Sequence, residues 1–334
     1  MSVKKTHFVS KNGFSGANGI TSEELKLFVV PVAISVLLFV VGQVMRPGFA
    51  SISNIGNILA IASILGFASM GQTLVIVSGG EGIDLSVGQL MSMGAVIGCV
   101  YLNGMNGNIA LTILILVIFG AVIGLIDALG IVWVGIPPLV MTLAIGTLAG
   151  GFTLAFTRGE PQGSVPSILL ALGGSGIGAF FKWLFVLEII AIVIVEFVLR
   201  KSKYGKALYL TGNNRNAARL CGIKTARIIV MTYVIAGIIG TLSGLMLLSF
   251  IGSAQLEMGN DYTMLSIAAV VIGGTQLAGG KGTYVGSFLG AIVLIVLTSV
   301  LISIGIPSGM RETITGIVLV LILLVYSRQP SIRQ

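Results

Sequence analysis

Long apolar runs separated by short polar breaks occupy most of this 334-residue chain, and they constrain its fold more than any other feature. Runs such as Leu27–Met45 and Ala110–Trp133 match the ~20 residues that a helix needs to cross a bilayer. Only 9% of the residues are charged, whereas a soluble domain is about 25% charged. The sequence therefore predicts an all-α membrane protein.

The apolar runs and the breakers between them predict about ten transmembrane helices. Their expected positions are 27–45, 55–77, 84–102, 109–133, 138–157, 183–199, 226–250, 262–278, 285–304 and 311–326. A segment near 163–178 is too short to span, because its apolar run covers only Ile168–Leu172. We predict a re-entrant or interfacial piece there.

The distribution of positive charge predicts the orientation. With ten spans and a cytoplasmic N-terminus, fifteen of the nineteen Lys and Arg fall on the cytoplasmic side, as the positive-inside rule favours. This gives a cytoplasmic tail over 1–24, a transmembrane domain over 25–327 and a cytoplasmic tail over 328–334. The first tail lacks the apolar core of a cleavable signal peptide. Topology thus explains the net charge of +8 without a nucleic-acid partner.

One cytoplasmic loop, 200–226, carries more charge than topology requires. From Arg200 to Arg227 the chain has eight Lys or Arg and no Asp or Glu. Positive-inside bias would explain part of this charge. However, Asn214 is also a favourable N-cap, and Gly222 suits the left-handed position that ends a helix.

These caps predict a short cytoplasmic helix between two spans, starting after Asn214. Ala217 and Ala218 would give that helix a small, flat face. A capped helix with a flat face suits docking into a groove of another protein, whereas a loop that only sets topology needs no caps.

Four motifs resemble those of the permease subunits of bacterial ABC importers of the ribose and other monosaccharide type. They are Gly82-Ile83-Asp84-Leu85-Ser86-Val87-Gly88; Pro137-Pro138-Leu139-Val140-Met141-Thr142-Leu143; Gly212-Asn213-Asn214 with Ala217-Ala218-Arg219-Leu220 and Gly222-Ile223; and Gly273-Gly274-Thr275 with Leu277, Gly279-Gly280-Lys281-Gly282 and Gly286. In order, they cover nearly the whole chain from about residue 48.

The resemblance implies a coupling helix that fits a cleft on a cytosolic ATPase. The implied ATPase-coupling interface consists of Gly212, Asn213, Asn214, Arg215, Ala217, Ala218, Arg219, Leu220 and Gly222. It also implies a multi-pass protein of the bacterial cytoplasmic membrane that is no enzyme and binds no cofactor, since ATP and Mg would bind the ATPase. The other implied partners are a periplasmic or lipid-anchored binding protein, a second permease copy, and membrane lipid.

The chain departs from the family pattern in three places. Glu81-Gly82 expands the first motif by two residues, Asp127 stands where Asn is more familiar, and Glu188 lies inside a span that is usually uncharged. The particular sugar therefore does not carry over from any one relative.

Polar residues within or beside the predicted spans are candidates for the translocation path. They are Gln72, Asp84, Ser86, Asp127, Thr142 and Gln276. Such side chains also join helices to one another, and Asp84 could instead cap the next helix. Asp127 and Glu188 are expected to face the bundle interior. Glu196 is expected to form a surface pair with Arg200.

Enzyme chemistry finds little support in the sequence. The stretch GGTQLAGGKGTYVG is not a phosphate-binding loop, because Gly282 rather than Ser or Thr follows Lys281. Its glycines fit close helix packing and a tight turn. The chain has one histidine, His7, so we expect no metal cluster and no nucleophile–base–orienter set.

Three functions follow, in order of preference. The first is the permease of an ATP-driven importer that forms the path for a monosaccharide. The second is a secondary transporter driven by protons or sodium, with Asp84, Asp127 and Glu188 as coupling acids. The third is a non-transporting membrane scaffold or receptor that binds partners through the basic loop.

Overall fold

The computed structural model describes residues 22–327, so residues 1–21 and 328–334 of the two predicted tails lie outside the described residues. The described chain is mostly helical. Its helices are α1 (Ser22–Met45), α2 (Ile52–Val77), α3 (Val87–Leu102), α4 (Ile109–Leu129), α5 (Pro138–Thr157), α6 (Ser167–Gly174), α7 (Trp183–Lys201), α8 (Lys203–Asn213), α9 (Arg215–Leu220), α10 (Thr225–Ile251), α11 (Asp261–Ile272), α12 (Tyr284–Ser303) and α13 (Ser308–Ser327). A 3₁₀ turn (Asn106–Asn108) precedes α4, and a π-helical turn (Gly130–Val134) extends it.

The predicted class, an all-α membrane protein, is confirmed. Within residues 22–327, six helices are long and apolar enough to cross a membrane. They are Phe28–Met45, Ile52–Val77, Asn106–Val134, Pro138–Thr157, Thr225–Ile251 and Tyr284–Ser303. Two shorter apolar helices, α3 and α11, accompany them. The full count of ten stays a prediction.

Two predicted spans are shorter in the structure than the sequence indicated. The span predicted over 84–102 starts at Val87, because the chain from the end of α2 to that residue is irregular and largely buried. The span predicted over 262–278 ends at Ile272, because a glycine-rich loop follows it. Both helices are therefore shorter than the ~20 residues of a full span, which apolar composition alone could not reveal.

The segment near 163–178 holds α6, which has eight residues and rises only about 12 Å. It is too short to cross a bilayer, as predicted. A small hairpin follows, in which β1 (Gly176–Ile177) pairs antiparallel with β2 (Phe181–Lys182). Two-residue strands leave no periodic signal in a sequence, so this hairpin was not predicted.

Hydrogen bonds between a loop residue and the last residue of a helix mark the two ends of the bundle. At one end, Arg46 Nη1 donates to Ser303 O at 3.1 Å. At the other end, Gly280 N donates to Val77 O at 3.0 Å. Consecutive long helices connect these two ends, as a multi-span topology requires.

Helix α10 lies at the centre and packs against α2, α3 and α4. Glycines bring its backbone close to that of α3. A Cβ on Gly94 would collide with Thr241 O, and a Cβ on Gly244 would collide with Met91 O. The many glycines thus serve the close helix packing expected inside membranes.

This packing predicts opposite effects for two Gly→Ala substitutions. Gly94→Ala should lower the free energy of unfolding by about 1–3 kcal/mol, because its methyl group meets a backbone carbonyl that cannot move aside. Gly151→Ala is the control, since nothing lies within 4 Å of its Cβ position, and it should be neutral or raise stability by up to about 1 kcal/mol. Unfolding of both variants in detergent measures the difference, and equal effects would contradict this account of the packing.

Candidate functional site

The loop between α2 and α3 contains several residues that were predicted to line the path. Asp84 Oδ1 accepts hydrogen bonds from Ser86 N at 2.8 Å and Ser86 Oγ at 2.6 Å. With its amide oriented to match both partners, Gln72 pairs with Asp84 O at 3.0 Å and Asp84 N at 3.3 Å. Thr142 Oγ1 accepts from Leu85 N at 2.9 Å. The structure therefore brings these predicted residues together around one loop.

The burial and the hydrogen bonds of these residues indicate a structural role in this conformation. Gln72, Asp84, Ser86 and Thr142 are at most 2% exposed, and their hydrogen bonds fix the loop and tie it to α2 and α5. These contacts fit the alternative role of joining helices. Contact with a solute stays a prediction for all four.

Two acidic side chains lie inside the bundle, as predicted. Asp127 in α4 is 1% exposed and interacts electrostatically with Asp84. Its Oδ1 has no hydrogen-bond partner among the described residues. Glu188 in α7 is fully buried, and its Oε1 accepts from Tyr284 Oη at 2.6 Å. Both carboxyl groups thus face protein.

Gln276 belongs to a different place, the loop between α11 and α12. Its backbone N donates to Lys281 O at 3.0 Å, and Gly279 N donates to its carbonyl at 2.9 Å. These bonds close the tight turn that the glycines predicted. The structure therefore does not group Gln276 with the buried loop.

The first turns of α3 and α11 meet between the two ends of the bundle. Gly88 N donates to Thr263 Oγ1 at 3.0 Å, and Gly259 N donates to Ser92 Oγ at 3.0 Å. From this meeting point, α3 runs to one end and α11 runs to the other. Interrupted helices that meet inside the membrane are typical of the substrate sites of transporters.

Two cavities with both polar and apolar side chains in their walls adjoin this meeting point. One, of about 200 Å³, is lined by Leu85, Gln89 and Asn260 among others. The other, of about 290 Å³, is lined by residues that include Gln89 and Glu257. Gln89 and Thr147 line both cavities. Neither residue could be predicted from the sequence, because an isolated Gln or Thr in an apolar run does not reveal which way its side chain faces.

Helix α5 forms one wall of the cavities and approaches α3 through glycines. A Cβ on Gly150 would collide with Gln89 Oε1, and a Cβ on Gly146 would lie 3.0 Å from Ser86 Cα. These two glycines, four residues apart, let the polar start of α3 lie against α5. Large side chains of α5 are exposed, including Leu143, which lines the smaller cavity, and Phe152.

The basic loop contains the predicted capped helix, α9. Asn214 Oδ1 accepts from Asn216 N and Ala217 N, both at 3.0 Å. Gly222 has φ of +80°, and Ile223 N donates to the carbonyl of Ala218 at 3.0 Å. The N-cap and the left-handed C-terminal glycine are both confirmed.

The predicted flat face of Ala217 and Ala218 is wrong in one respect. Ala218 is only 3% exposed and packs into the protein, whereas Ala217 is exposed. The apolar side chain that α9 presents outward is Leu220, which is 90% exposed. Of the other predicted coupling residues, Asn213, Asn214, Arg219 and Gly222 are exposed, and Gly212 and Arg215 are half-buried.

The basic loop is joined to the ends of two other segments at a glycine junction, formed by Gly79, Gly212 and Gly280. Arg215 Nη2 donates to Gly79 O at 2.9 Å. A Cβ on Gly212 would collide with Val77 O, and Gly280 N donates to that same carbonyl. Three backbone segments are therefore in direct contact at this junction.

Glu196 links the basic region to α12. The predicted pair with Arg200 is confirmed, with Arg200 Nε 2.8 Å from Glu196 Oε2. Glu196 Oε1 also accepts from Tyr284 N at 2.8 Å and Val285 N at 3.1 Å. These two amides lie at the start of α12, where backbone N–H groups have no partner within the helix. This residue is thus a helix cap as well as a surface pair, and its sequence spacing revealed only the pair.

Tyr209 in α8 makes a second link to the loop before α12. Its hydroxyl donates to Gly282 O at 2.7 Å. Burial raises the pKa of Tyr209 to about 12, so the phenol keeps its proton and donates at neutral pH. Glu196 and Tyr209 together fix the start of α12 to the basic region.

Comparison with known proteins identifies the family. Residues 54–323 match the family model described as branched-chain amino acid transport system / permease component. This chain belongs to that family of permease components. The match includes the glycine junction, the interrupted helices and the basic loop. No solved structure matches the chain.

Curated relatives narrow the comparison. The chain is 32% identical to the ribose import permease protein of Escherichia coli strain K12, over 89% of this chain and 92% of that protein. It is 34% identical to the ribose import permease protein of Bacillus subtilis, over 86% and 89%. It is 32% identical to the autoinducer 2 import system permease protein of Escherichia coli, over 86% and 83%.

The cap on α12 yields a prediction about stability. Glu196→Ala should lower the free energy of unfolding by about 1–3 kcal/mol, because two partly buried amides lose a charged acceptor. Glu160→Ala is the control, since Glu160 is exposed, and it should change stability by less than about 0.5 kcal/mol. Unfolding in detergent measures both, and an equally mild Glu196→Ala would show that the cap contributes nothing.

Proposed function

We propose that the chain is the transmembrane permease subunit of an ATP-driven, binding-protein-dependent importer, and that it forms the path for a monosaccharide, a pentose or hexose, across the inner membrane. The observation that carries the proposal is the pair of interrupted helices, α3 and α11, which meet beside two cavities that polar side chains help to line. The names of the relatives, two for ribose import and one for autoinducer 2, favour a hydroxylated solute.

The proposed topology has about ten spans with both termini in the cytoplasm. The bias of Lys and Arg toward one side supports this orientation. The separation of the loops to opposite ends of the bundle is consistent with it. The end that carries the basic loop and the glycine junction is then cytoplasmic, and α6 with its hairpin faces the outside.

The proposed partners attach at the two ends and at the side. A cytosolic ATPase binds the exposed residues of α9 and holds the ATP and Mg, so this chain is no enzyme and binds no cofactor itself. A periplasmic or lipid-anchored binding protein delivers the solute to the outer end. A second permease copy, identical or similar, covers the cavities along α5, whose side chains include exposed Leu143 and Phe152.

Coupling follows from the contacts of the basic loop. Movement of α9 with the ATPase pulls on Gly79 through Arg215. The same movement reaches α12 through Glu196 and Tyr209. A change of state requires that the ATPase contacts the two states differently, and the glycine junction carries that difference to α2.

The predicted path residues take two places in this proposal. Asp84, Ser86 and Thr142 shape the loop directly behind the cavities, and Gln72 fixes it from α2. Asp127 lies within electrostatic reach of this loop. Gln276 lies at the cytoplasmic turn beside the coupling surface, near where a solute would leave.

A secondary transporter is the second candidate, because Asp127 Oδ1 is buried without a hydrogen-bond partner among the described residues. A proton or sodium ion could satisfy such an oxygen. This candidate requires transport without ATP and loss of transport in Asp127→Asn or Glu188→Gln. The scaffold candidate requires partner binding without flux.

Uptake into proteoliposomes tests the proposed function. Vesicles would carry this chain with its ATPase inside and the binding protein outside, and pentoses and hexoses would be offered with and without ATP. We expect accumulation only when all three proteins and ATP are present. Accumulation by this chain alone under an ion gradient would contradict the proposal and favour the secondary transporter.

Substitution of the exposed face of α9 tests the coupling surface. Ala217→Glu with Leu220→Glu should abolish co-purification of the ATPase and ATP-dependent uptake, because two carboxylates cannot pair in an apolar cleft. Both positions are exposed, so the protein should fold. Ile177→Glu is the control for ATPase co-purification, since Ile177 is also exposed but lies at the end of the bundle opposite α9. Normal uptake by the double variant would contradict the assignment of α9 as the surface that binds the ATPase.

A further inference from the structure

We infer that Gln89 and Asn260 form a gate inside the permease that separates the two cavities and binds the hydroxyl groups of an uncharged solute. This inference rests on the proposed transport function and adds the residues that bind the solute. Gln89 Nε2 donates to Asn260 Oδ1 at 2.8 Å. The bond joins the start of α3 to the start of α11.

The position of the pair makes it a barrier. Gln89 lines both cavities, and Asn260 lines the smaller one. The larger cavity includes Glu257, from the loop that leads to the outer end, and the smaller includes Leu85, from the loop that comes from the inner end. Because Gln89 lines both cavities, a solute that moves directly between them would pass beside the amide pair, and the proposed gate opens when that hydrogen bond breaks.

The chemistry of the pair suits hydroxyl groups. A carboxamide offers one acceptor oxygen and two N–H donors, and a hydroxyl group both donates and accepts. The bond between the two side chains uses one donor of Gln89 and one acceptor of Asn260. Gln89 Oε1 and Asn260 Nδ2 therefore remain to bind a solute beside the gate. A sugar hydroxyl can replace each amide partner without leaving a buried polar group unpaired.

The charge around the gate disfavours anions and carboxylates. The starts of interrupted helices can bind anions through free amides, but here Gly88 N and Gly259 N are bound to Thr263 Oγ1 and Ser92 Oγ. The charged residue among those lining the two cavities is an acid, Glu257. A neutral polyol thus fits this site better than an amino acid, whatever the family description suggests.

The cavity sizes agree with a small solute. Their volumes, about 290 and 200 Å³, lie below the ~300–1,000 Å³ of pockets that hold drug-sized ligands. A single sugar ring with its hydroxyl groups is such a smaller solute. Each cavity would hold the solute on one side of the gate in turn.

Reactivity of introduced cysteines tests the position of the gate. Cys221 is exposed and would first be changed to Ser. Gln89→Cys and Asn260→Cys, in the assembled transporter, should react with the hydrophilic thiol reagent MTSET at least about tenfold faster than Gln72→Cys. Both residues line a cavity and are partly exposed, whereas water does not reach a packed interior. Gln72 is the matched control, a glutamine that is fully buried.

Protection identifies the class of solute. Ribose at saturating concentration should slow the labelling of Gln89→Cys, and leucine should not. Protection by leucine alone, or labelling of Gln89→Cys no faster than that of Gln72→Cys, would overturn the inference. Labelling needs no transport, so a failure of ATP-dependent uptake with fast, ribose-protected labelling would refute the proposed function and leave the binding site standing.

A substitution then separates binding from structure. Gln89→Leu keeps the size of the side chain but removes its hydrogen bonds, and uptake of ribose should fall about tenfold, the effect of roughly one lost hydrogen bond. Co-purification of the ATPase should be unchanged, because Gln89 lies far from the coupling surface of α9. Unchanged ribose uptake would overturn the role of Gln89.

Discussion

The close approach of buried backbones is the constraint on which this structure depends. In an apolar medium, helices gain little by hiding apolar side chains and must gain stability from packing and hydrogen bonds. Glycines provide that packing where α10 meets α3, where α5 meets the start of α3, and at the glycine junction. A side chain at these positions would separate the elements, and the polar contacts between them would be lost.

The interruption of α3 and α11 follows from the same constraint. Irregular backbone at membrane depth is tolerated only where protein or a water-filled cavity satisfies its polar groups. In the loop before α3, backbone N–H groups donate to the side chains of Asp84 and Thr142. At the start of each of the two helices, a backbone N–H donates to a hydroxyl group of the other helix. The arrangement places polar side chains inside a bundle that is otherwise apolar, which is what a path for a hydroxylated solute requires.

The basic loop and the interrupted helices form one connected device in this proposal. Backbone contacts at the glycine junction join α9 to α2, and side chains of α7 and α8 hold the start of α12. Since α2 and α12 both pack against α11, a shift of the coupling helix reaches the wall of the cavities through packed elements. Energy from an ATPase can then act at a distance from its binding surface.

The sequence by itself determined the membrane class, the capped helix and the family. Apolar run length, the spacing of Asn214 and Gly222, and four glycine-rich motifs depend on local order along the chain, so they could be read without coordinates. It also predicted that Asp127 and Glu188 are internal, because charge is costly in hydrocarbon.

Only the tertiary structure decided which polar residues face a cavity. Gln72 and Gln89 are the same residue type in similar apolar surroundings, yet one is packed between helices and the other lines both cavities. Likewise, Ala218 faces inward beside exposed Ala217, and Glu196 caps α12 from 88 residues away. The direction in which a side chain points depends on the residues that the fold brings next to it, and a single sequence does not show which residues those are.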